Sequence, residues 1–270
     1  MTEPVHVLVH AGFHKTGTSS LQDFFRSNRA ALSALLAYYG KTDFLNAGAA
    51  ARIYAQRPFP WRLANFRRAF RMFLGSVPVT PKLLLSRETF CGAMPGHRKI
   101  GGRWITSYGP AAVPLAKAAH AELRRRFGPE TRIEFLYTVR APEDWLQSVH
   151  GHLLRSLRLR TDLDAFRARL GGIDLVDEAA RIADALHPVP VHTARLEAYG
   201  THPFGPAKVA LDLLDIPAAA RKGLRPAQRA NPGPSPRLRA DYLRLNGEIR
   251  NKARLKARKE ALTASREPGR

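Results

Sequence analysis

The chain has 270 residues, 44% of them apolar and 24% charged, which is the balance of a globular protein rather than a disordered one. Its formal net charge of +22 at pH 7 favours anionic ligands, and its single cysteine excludes an intramolecular disulfide framework. No apolar stretch approaches the roughly 20 residues of a membrane span and no secretory signal is visible, so we expect a cytoplasmic protein.

The first predicted elements are a strand that starts at Val5, a tight turn at Gly12 and a helix over Ser19–Tyr38. A junction of this kind points backbone N–H groups and the positive end of a helix dipole at one place, where a phosphate or sulfate can bind. Lys15 adds a positive charge to the loop. Its hydroxyl side chains are Thr16, Thr18, Ser19 and Ser20. We therefore predict an anion site here; the alternative is an ordinary turn with a polar helix cap.

The spacing of Gly12 and Gly17 is that of the nucleotide-binding P-loop, Gly-x-x-x-x-Gly-Lys-Ser/Thr. Thr18, however, stands where that motif has its lysine, and Lys15 precedes the second glycine. A nucleoside triphosphatase needs its lysine after that glycine to reach the β- and γ-phosphates. The order of residues therefore disfavours a P-loop kinase and suits a shorter anion.

The middle of the chain predicts a packing helix, a strand and a loop. Aromatic residues at helical spacing from Trp61 to Phe73 predict a packing face, and Lys82–Ser86 predicts a buried strand. Glu88 follows that strand and is therefore expected at the carboxyl edge of the sheet. Gly96–Pro110 is rich in glycine and arginine and predicts a mobile loop.

A second strand-to-helix junction follows a helix predicted over Pro114–Phe127. The apolar run Ile133–Val139 predicts a buried parallel strand, and Pro142 suits the first turn of the next helix. Arg140 would then lie at the carboxyl end of a strand, where ligands bind in open α/β sheets, with Ser148 in the helix behind it. Alternatively, Arg140 is a salt-bridged strand end and Ser148 a solvated helix residue.

The remaining elements are mainly helical. They are helices over Asp162–Leu170, Leu175–Leu186 and Ala207–Leu214, an edge strand over Pro188–His192, a loop over Ala227–Pro236, and a last helix over Pro236–Ala261 capped by Ser235. Positions 250–270 are basic and predict a solvated helix face or a frayed tail. Strands alternating with helices predict one three-layer α/β domain over 1–270, with a mainly parallel sheet, helices on both faces and a helical C-terminal end.

The two junctions resemble the binding motifs of one enzyme family. Phe13–Ser20 resembles the 5′-phosphosulfate loop, and Arg140 with Ser148 resembles the 3′-phosphate motif, of sulfotransferases that use 3′-phosphoadenosine 5′-phosphosulfate (PAPS). His14 replaces the proline of many members. The resemblance implies a P-loop-like fold and PAPS as sulfuryl donor. It implies donor binding by His14, Lys15, Thr16, Gly17, Thr18, Ser19, Ser20, Arg140 and Ser148.

The same resemblance implies the chemistry. Lys15 would stabilise the departing phosphate and Glu88 would take the proton of an acceptor hydroxyl on a carbohydrate, a lipid or a small metabolite, with no metal. His14 and His152 are reserve bases, and Glu88 could instead be ion-paired with Arg87 or Arg98.

Two other readings stay open at this stage. One is a P-loop kinase, which the position of Lys15 disfavours. The chain could be a non-catalytic binder of nucleotides or polyanions, although no recognised nucleic-acid module is present. Acceptor recognition would fall to two variable loops, over Gly40–Pro60 and Gly96–Pro110.

Overall fold

A five-stranded parallel sheet organises the first part of the chain in the computed structural model, which describes residues 4–228 and 233–266. The strands are β1 (His6–His10), β2 (Ala37–Tyr39), β3 (Lys82–Ser86), β4 (Arg132–Val139) and β5 (Val191–Arg195), in the spatial order β2-β3-β1-β4-β5. Twelve α-helices are assigned within the described residues. They are α1 (Thr18–Ser27), α2 (Arg29–Leu32), α3 (Leu45–Gln56), α4 (Pro60–Gly75), α5 (Gly109–Phe127), α6 (Pro142–Ser156), α7 (Leu163–Leu170), α8 (Leu175–Leu186), α9 (Ala207–Leu213), α10 (Ala218–Arg221), α11 (Pro236–Glu248) and α12 (Lys252–Arg266).

The described residues group into two compact units. The first holds residues 4–141 and 173–228 and contains the sheet; the second holds residues 142–172 and 233–266 and contains α6, α7, α11 and α12. The α/β fold class with a parallel sheet is confirmed. The assignment of residues 1–270 to a single domain stays a prediction.

Strand β1 lies at the centre of the sheet and is buried along its whole length. It pairs in parallel with β3 on one side and β4 on the other, so that His10 is in register with Ser86 and with Leu136. Leu8 packs on one face with α1 and α9, and Val7 and Val9 alternate to the other face, where they are also fully buried. Burial on both faces explains the near-continuous apolar sequence of these strands.

The predicted helix over Ser19–Tyr38 is wrong in its second half. Helix α1 ends at Ser27, a short α2 follows, and Ala37–Tyr39 forms the edge strand β2 beside β3. Alanine and leucine favour a helix locally, but pairing of β2 with β3 overrides that preference. The segment Gly40–Pro60, expected to be a loop, holds helix α3.

The last predicted helix divides into two. Helix α11 ends at Glu248 and α12 begins at Lys252, where the side chain of Asn251 accepts a hydrogen bond from the backbone N–H of Arg254. The predicted cap is confirmed, since Ser235 Oγ accepts from the N–H of Leu238. Residues 252–266 are helical rather than frayed, and 267–270 lie outside the described residues.

The other elements agree with the sequence to within a few residues. The edge strand predicted over Pro188–His192 is β5 at Val191–Arg195, and it does lie at the edge of the sheet. Helix α5 begins five residues before Pro114, so that this proline lies inside the helix. The loop predicted over Ala227–Pro236 includes residues 229–232, which lie outside the described part of the chain.

Candidate functional site

The loops that follow β1, β3 and β4 leave the sheet at one edge. These three strands are neighbours and parallel, so their carboxyl ends lie side by side. The loop before α1, the turn that carries Glu88 and the residue Arg140 follow these ends directly. This is the edge at which open α/β sheets bind ligands.

The loop between β1 and α1 has an unusual backbone. Gly12, Lys15 and Gly17 have positive φ angles of 35°, 70° and 89°. Lys15 has a side chain, so this conformation costs it free energy that a glycine would not pay. A side chain at Gly17 would be strained at its φ of 89°, and its Cβ would lie 2.7 Å from Cδ1 of Leu196, which would have to move. The left-handed turns fold the loop tightly over the sheet edge.

Buried hydroxyls hold this loop in place. Thr16 Oγ1 donates to the carbonyl of Phe13 at 2.6 Å and lies 2.7 Å from Oγ1 of Thr138 in β4. Thr18 Oγ1 also donates to the Phe13 carbonyl, at 3.4 Å. Ser20 Oγ donates to the carbonyl of Gln228 at 3.1 Å, and Ser19 is exposed. Thr16 and Thr18 therefore support the loop with their side chains, and what they can offer an anion is backbone N–H.

Helix α1 presents its N-terminus to the same place. Gly17 is its N-cap, and within residues 4–228 and 233–266 no side chain caps this end. The first-turn N–H groups of a helix have no intrahelical acceptor, and together they carry a partial positive charge. Lys15, half-buried in the preceding loop, adds a full charge. Loop, helix end and lysine together suit a phosphate or sulfate.

His14 contacts Tyr108 and Cys91 at the start of the loop. Its Nδ1 lies 3.3 Å from the Tyr108 hydroxyl and 3.8 Å from Cys91 Sγ, and the rings of His14 and Tyr108 are stacked. Burial lowers the pKa of His14 to about 4, against the opposing effect of the Glu88 charge. His14 is therefore neutral at pH 7 and acts as a hydrogen-bonding group rather than a cation.

Glu88 lies two residues beyond the end of β3, and Gln22 of α1 holds its carboxylate. Gln22 Nε2 lies 3.3 Å from Glu88 Oε2 and 3.1 Å from the carbonyl of Ser86. Burial raises the pKa of Glu88, but in acid the charge of protonated His14, a backbone hydrogen bond and the charges of Arg87 and Lys41 outweigh this effect, so that the pKa is lowered. Glu88 is thus a carboxylate at pH 7.

The pairing of Glu88 with Arg87 or Arg98, left open by the sequence, is not the arrangement seen. Arg87 donates to Oγ1 of Thr89 at 3.0 Å and to the carbonyl of Lys41 at 2.6 Å. Arg98 donates to the carbonyl of Gly102 at 2.5 Å. Their guanidinium groups are therefore committed to other acceptors, and Gln22 contacts Glu88 instead.

Arg140 is the first residue after β4 and is half-buried. The contact between Thr138 and Thr16 ties this end of β4 to the lysine loop, and Arg140 lies only two residues beyond Thr138. The next N–H, of Ala141, donates to Oε1 of Glu197 at 2.8 Å and fixes the backbone there. Arg140 and Lys15 thus belong to neighbouring loops of the same sheet edge.

Ser148 and His152 lie on α6, in the second unit, and both are half-buried. The assignment of Ser148 to a 3′-phosphate stays a prediction from the sequence, as does the reserve role of His152.

Three polar residues that the sequence analysis did not single out underlie the site. His10 ends β1 fully buried, with Nδ1 2.8 Å from Oγ of Ser86 and Nε2 3.4 Å from Oγ1 of Thr138. These side chains link the ends of β1, β3 and β4. The sequence did contain a signal, because each is a polar residue at or near the carboxyl end of a mainly apolar strand.

Two further findings concern metal binding and membrane spans in the described residues. No group of three or more histidine, cysteine, aspartate or glutamate residues is placed to hold a metal ion among residues 4–228 and 233–266. Within that same part of the chain, no helix has the length and apolar character needed to cross a membrane. The cytoplasmic location stays a prediction.

Comparison with known proteins gives a likeness to solved structures. No family model matches the chain, and no curated protein matches it. Among solved structures it is similar to the crystal structure of a sulfotransferase from Alicyclobacillus acidocaldarius, with 16% sequence identity and a TM-score of 0.47, over 97% of this chain and 96% of that one.

Proposed function

We propose that this protein is a sulfotransferase that transfers the sulfuryl group of PAPS to a hydroxyl of a carbohydrate, a lipid or a small metabolite. The observation that carries the proposal is the arrangement of two anion-binding groups at one sheet edge. Lys15 lies in a left-handed loop before α1, and Arg140 directly follows the neighbouring strand β4, with Thr16 and Thr138 in contact between them. A molecule with a 5′-phosphosulfate and a 3′-phosphate offers one anion to each.

The donor would bind through the lysine loop and the end of α1. Backbone N–H groups of the loop and of the first turn, from His14 to Ser20, would surround the 5′-phosphosulfate, because helix N-termini and turns that contain left-handed residues commonly bind anions. Arg140 would bind the 3′-phosphate through its planar guanidinium group, which can donate hydrogen bonds to two phosphate oxygens at once. Nothing in this arrangement requires a metal ligand.

Sulfuryl transfer would then use one base and one cation. The acceptor oxygen forms a bond to sulfur while the bond from sulfur to the 5′-phosphate oxygen breaks, and PAPS supplies the sulfuryl group. Glu88 would accept the proton of the acceptor hydroxyl, since it is a carboxylate at pH 7 and lies beside α1. Lys15 would stabilise the negative charge that develops on the departing phosphate oxygen.

The direct test uses PAPS that carries radioactive sulfate, incubated with the protein and an extract of host metabolites and glycans. We expect labelled product with the wild type and none with Lys15→Ala. Lys117→Ala, which removes the same charge from an exposed position on α5, should transfer as the wild type does. Normal transfer by Lys15→Ala would remove Lys15 from the mechanism, and no transfer by the wild type in any extract would contradict the proposal.

The two alternative functions give different results in a melting experiment. Adenosine 3′,5′-bisphosphate should raise the melting temperature, because a ligand that binds only the folded state stabilises it. A P-loop kinase would instead be stabilised by ATP with magnesium. The position of Lys15 before Gly17 disfavours this function. Stabilisation by the bisphosphate without labelled product in any extract would favour a non-catalytic binder.

A further inference from the structure

A cavity of about 890 Å³ lies within the second unit, at the junction of α11 and α12. Eight residues line it, and they come from the last turn of α11, the connection and the first half of α12. They are Arg244, Leu245, Glu248, Ile249, Arg250, Asn251, Arg254 and Arg258. Its volume falls in the range of clefts that hold small organic ligands.

The lining of this cavity is strongly cationic. Four of its eight residues are arginines, and its only carboxylate, Glu248, is held by Arg244 at 2.9 and 3.2 Å. Arg254 and Arg258 lie one helical turn apart on α12 and therefore on the same face. The one acidic side chain of the lining is therefore paired with Arg244, and the other three arginines contribute net positive charge to the cavity.

Two further arginines interact with the lining of the cavity through their charge. Arg158 and Arg160 each donate from Nε to the carbonyl of Asn246, at 3.1 and 3.2 Å, so their guanidinium groups converge beside α11. Burial lowers the pKa of Arg158, and the charges of Arg160 and Arg250 lower it further. Like charges brought this close repel one another, and a bound anion would relieve the repulsion.

We propose that this cavity binds a compact anion that carries two or more phosphate or sulfate groups, independently of the sulfuryl-transfer site. Arginine suits such groups because its five donors lie in a rigid plane that can pair with two oxygens at once. The apolar walls, Leu245 and Ile249, suit a small organic body between the charged groups.

The shape and the surface favour a small ligand over a membrane or a nucleic-acid duplex. Membrane binding by a basic helix needs exposed apolar side chains, and none of the large exposed apolar residues of the described chain lies on α11 or α12. A duplex needs an extended basic surface, whereas these arginines converge on one concavity.

The test is calorimetric titration of the full chain with inorganic tripolyphosphate at low salt, where surface charge is least screened. Arg254→Ala with Arg258→Ala should weaken binding at least about tenfold, since each removes charge-assisted hydrogen bonds. The matched control is Lys252→Ala with Lys256→Ala, two exposed lysines of the same helix at the same spacing that do not line the cavity. The control should stay within about threefold of the wild type.

Two further titrations test whether this cavity is independent of the sulfuryl-transfer site and which anionic group it prefers. Lys15→Ala should bind tripolyphosphate at this cavity as the wild type does, whether or not the transferase proposal holds. A sulfated disaccharide in place of tripolyphosphate tells whether phosphate or sulfate groups are preferred, and binding of either supports the proposal. Equal losses in the arginine and lysine variants, no binding by the wild type, or tighter binding of a short DNA duplex would each overturn it.

Discussion

At the scale of single residues, Lys15 combines a side chain proposed to act in sulfuryl transfer with an unfavourable backbone conformation. Its φ of 70° lies in the left-handed region, which costs a residue with a Cβ about 1 kcal/mol or more relative to glycine. A lysine kept at such a position is expected where its side chain serves binding or catalysis rather than stability.

We therefore expect Lys15→Gly to affect stability and transfer activity in opposite directions. Lys15→Gly should raise the free energy of unfolding by about 1 kcal/mol relative to Lys15→Ala, because only glycine adopts this φ without strain. Both variants should lose sulfuryl transfer. Urea denaturation measures the first effect and labelled transfer the second. A glycine variant that is less stable than the alanine variant would contradict the strain assigned to this residue.

Glu88 gives a prediction about pH. Its pKa is lowered, so it is already a carboxylate well below pH 6, and kcat/KM for transfer should be flat between about pH 5.5 and 7.5. Glu88→Gln should remove transfer and leave the affinity for adenosine 3′,5′-bisphosphate within about threefold, because the amide keeps the shape of the side chain.

The control for this experiment is Glu130→Gln, which neutralises an exposed carboxylate after α5. A fall in kcat/KM near pH 6.5 in the wild type would indicate a different base. Transfer by Glu88→Gln at the rate of the wild type would exclude Glu88 altogether.

The sequence predicted the charged members of the site better than the residues that support them. Lys15, Glu88 and Arg140 follow strands, and strand ends can be read from apolar runs. The roles of Gln22 and Tyr108 depend on which helix packs beside which loop, and no local pattern carries that information. Thr138 and His10 were predictable only in part. Their polarity within mainly apolar strands was visible in the sequence, but the residues that they contact were not.

At the scale of elements, Lys259 joins two helices of the second unit. Its ammonium is buried and donates to the carbonyls of Leu154 at 2.6 Å, Leu157 at 2.7 Å and Arg155 at 3.3 Å. These carbonyls lie at the C-terminal end of α6, where the last turn of a helix lacks intrahelical donors. Lys259 of α12 thus acts as a cap for α6.

Lys259→Met should therefore lower the free energy of unfolding by about 2 kcal/mol, because it leaves buried carbonyls without a donor. Lys256→Met removes an exposed lysine three residues earlier, whose ammonium lies 3.8 Å from Oε1 of the exposed Glu260, and should change stability by less than about 0.5 kcal/mol. Urea denaturation of both variants makes the comparison. Equal effects would show that the Lys259 contacts do not stabilise the unit.

The elements that the sequence missed have two different physical causes. Strand β2 lies in a run of alanine, leucine and tyrosine that favours a helix, and only pairing with β3 makes it a strand. The division between α11 and α12 depends on the Asn251 cap, one polar residue within a basic run. Strands β1, β3 and β4 were predictable because burial on both faces leaves a strong apolar signal.

At the scale of the whole molecule, buried histidine makes folding sensitive to acid. Burial lowers the pKa of His10 to about 4, below the ordinary 6.5 that it regains on unfolding. The unfolded chain therefore binds the proton first. The associated stability is fully present above about pH 6.5 and is lost as the pH falls from 6.5 towards 4, up to about 3 kcal/mol.

Urea denaturation at several pH values between 7 and 4.5 should show this loss. His10→Gln, which has no titrating ring, should have a shallower slope of stability against pH than the wild type. His187→Gln changes an exposed histidine and should keep the slope of the wild type. Equal slopes for the wild type and His10→Gln would contradict the burial argument.

The central claim concerns the whole sheet edge, where one adenosine carrying two anionic groups would contact both Lys15 and Arg140. Calorimetry with adenosine 3′,5′-bisphosphate and with adenosine 5′-monophosphate tests it most directly, because the two ligands differ only in the 3′-phosphate. The wild type should prefer the bisphosphate by about 100-fold, Arg140→Ala should lose that preference, and Lys15→Ala should weaken both ligands alike. Arg68→Ala, at an exposed position on α4, is the control. An Arg140→Ala protein that keeps the full preference, or a wild type that binds neither nucleotide, would contradict the account.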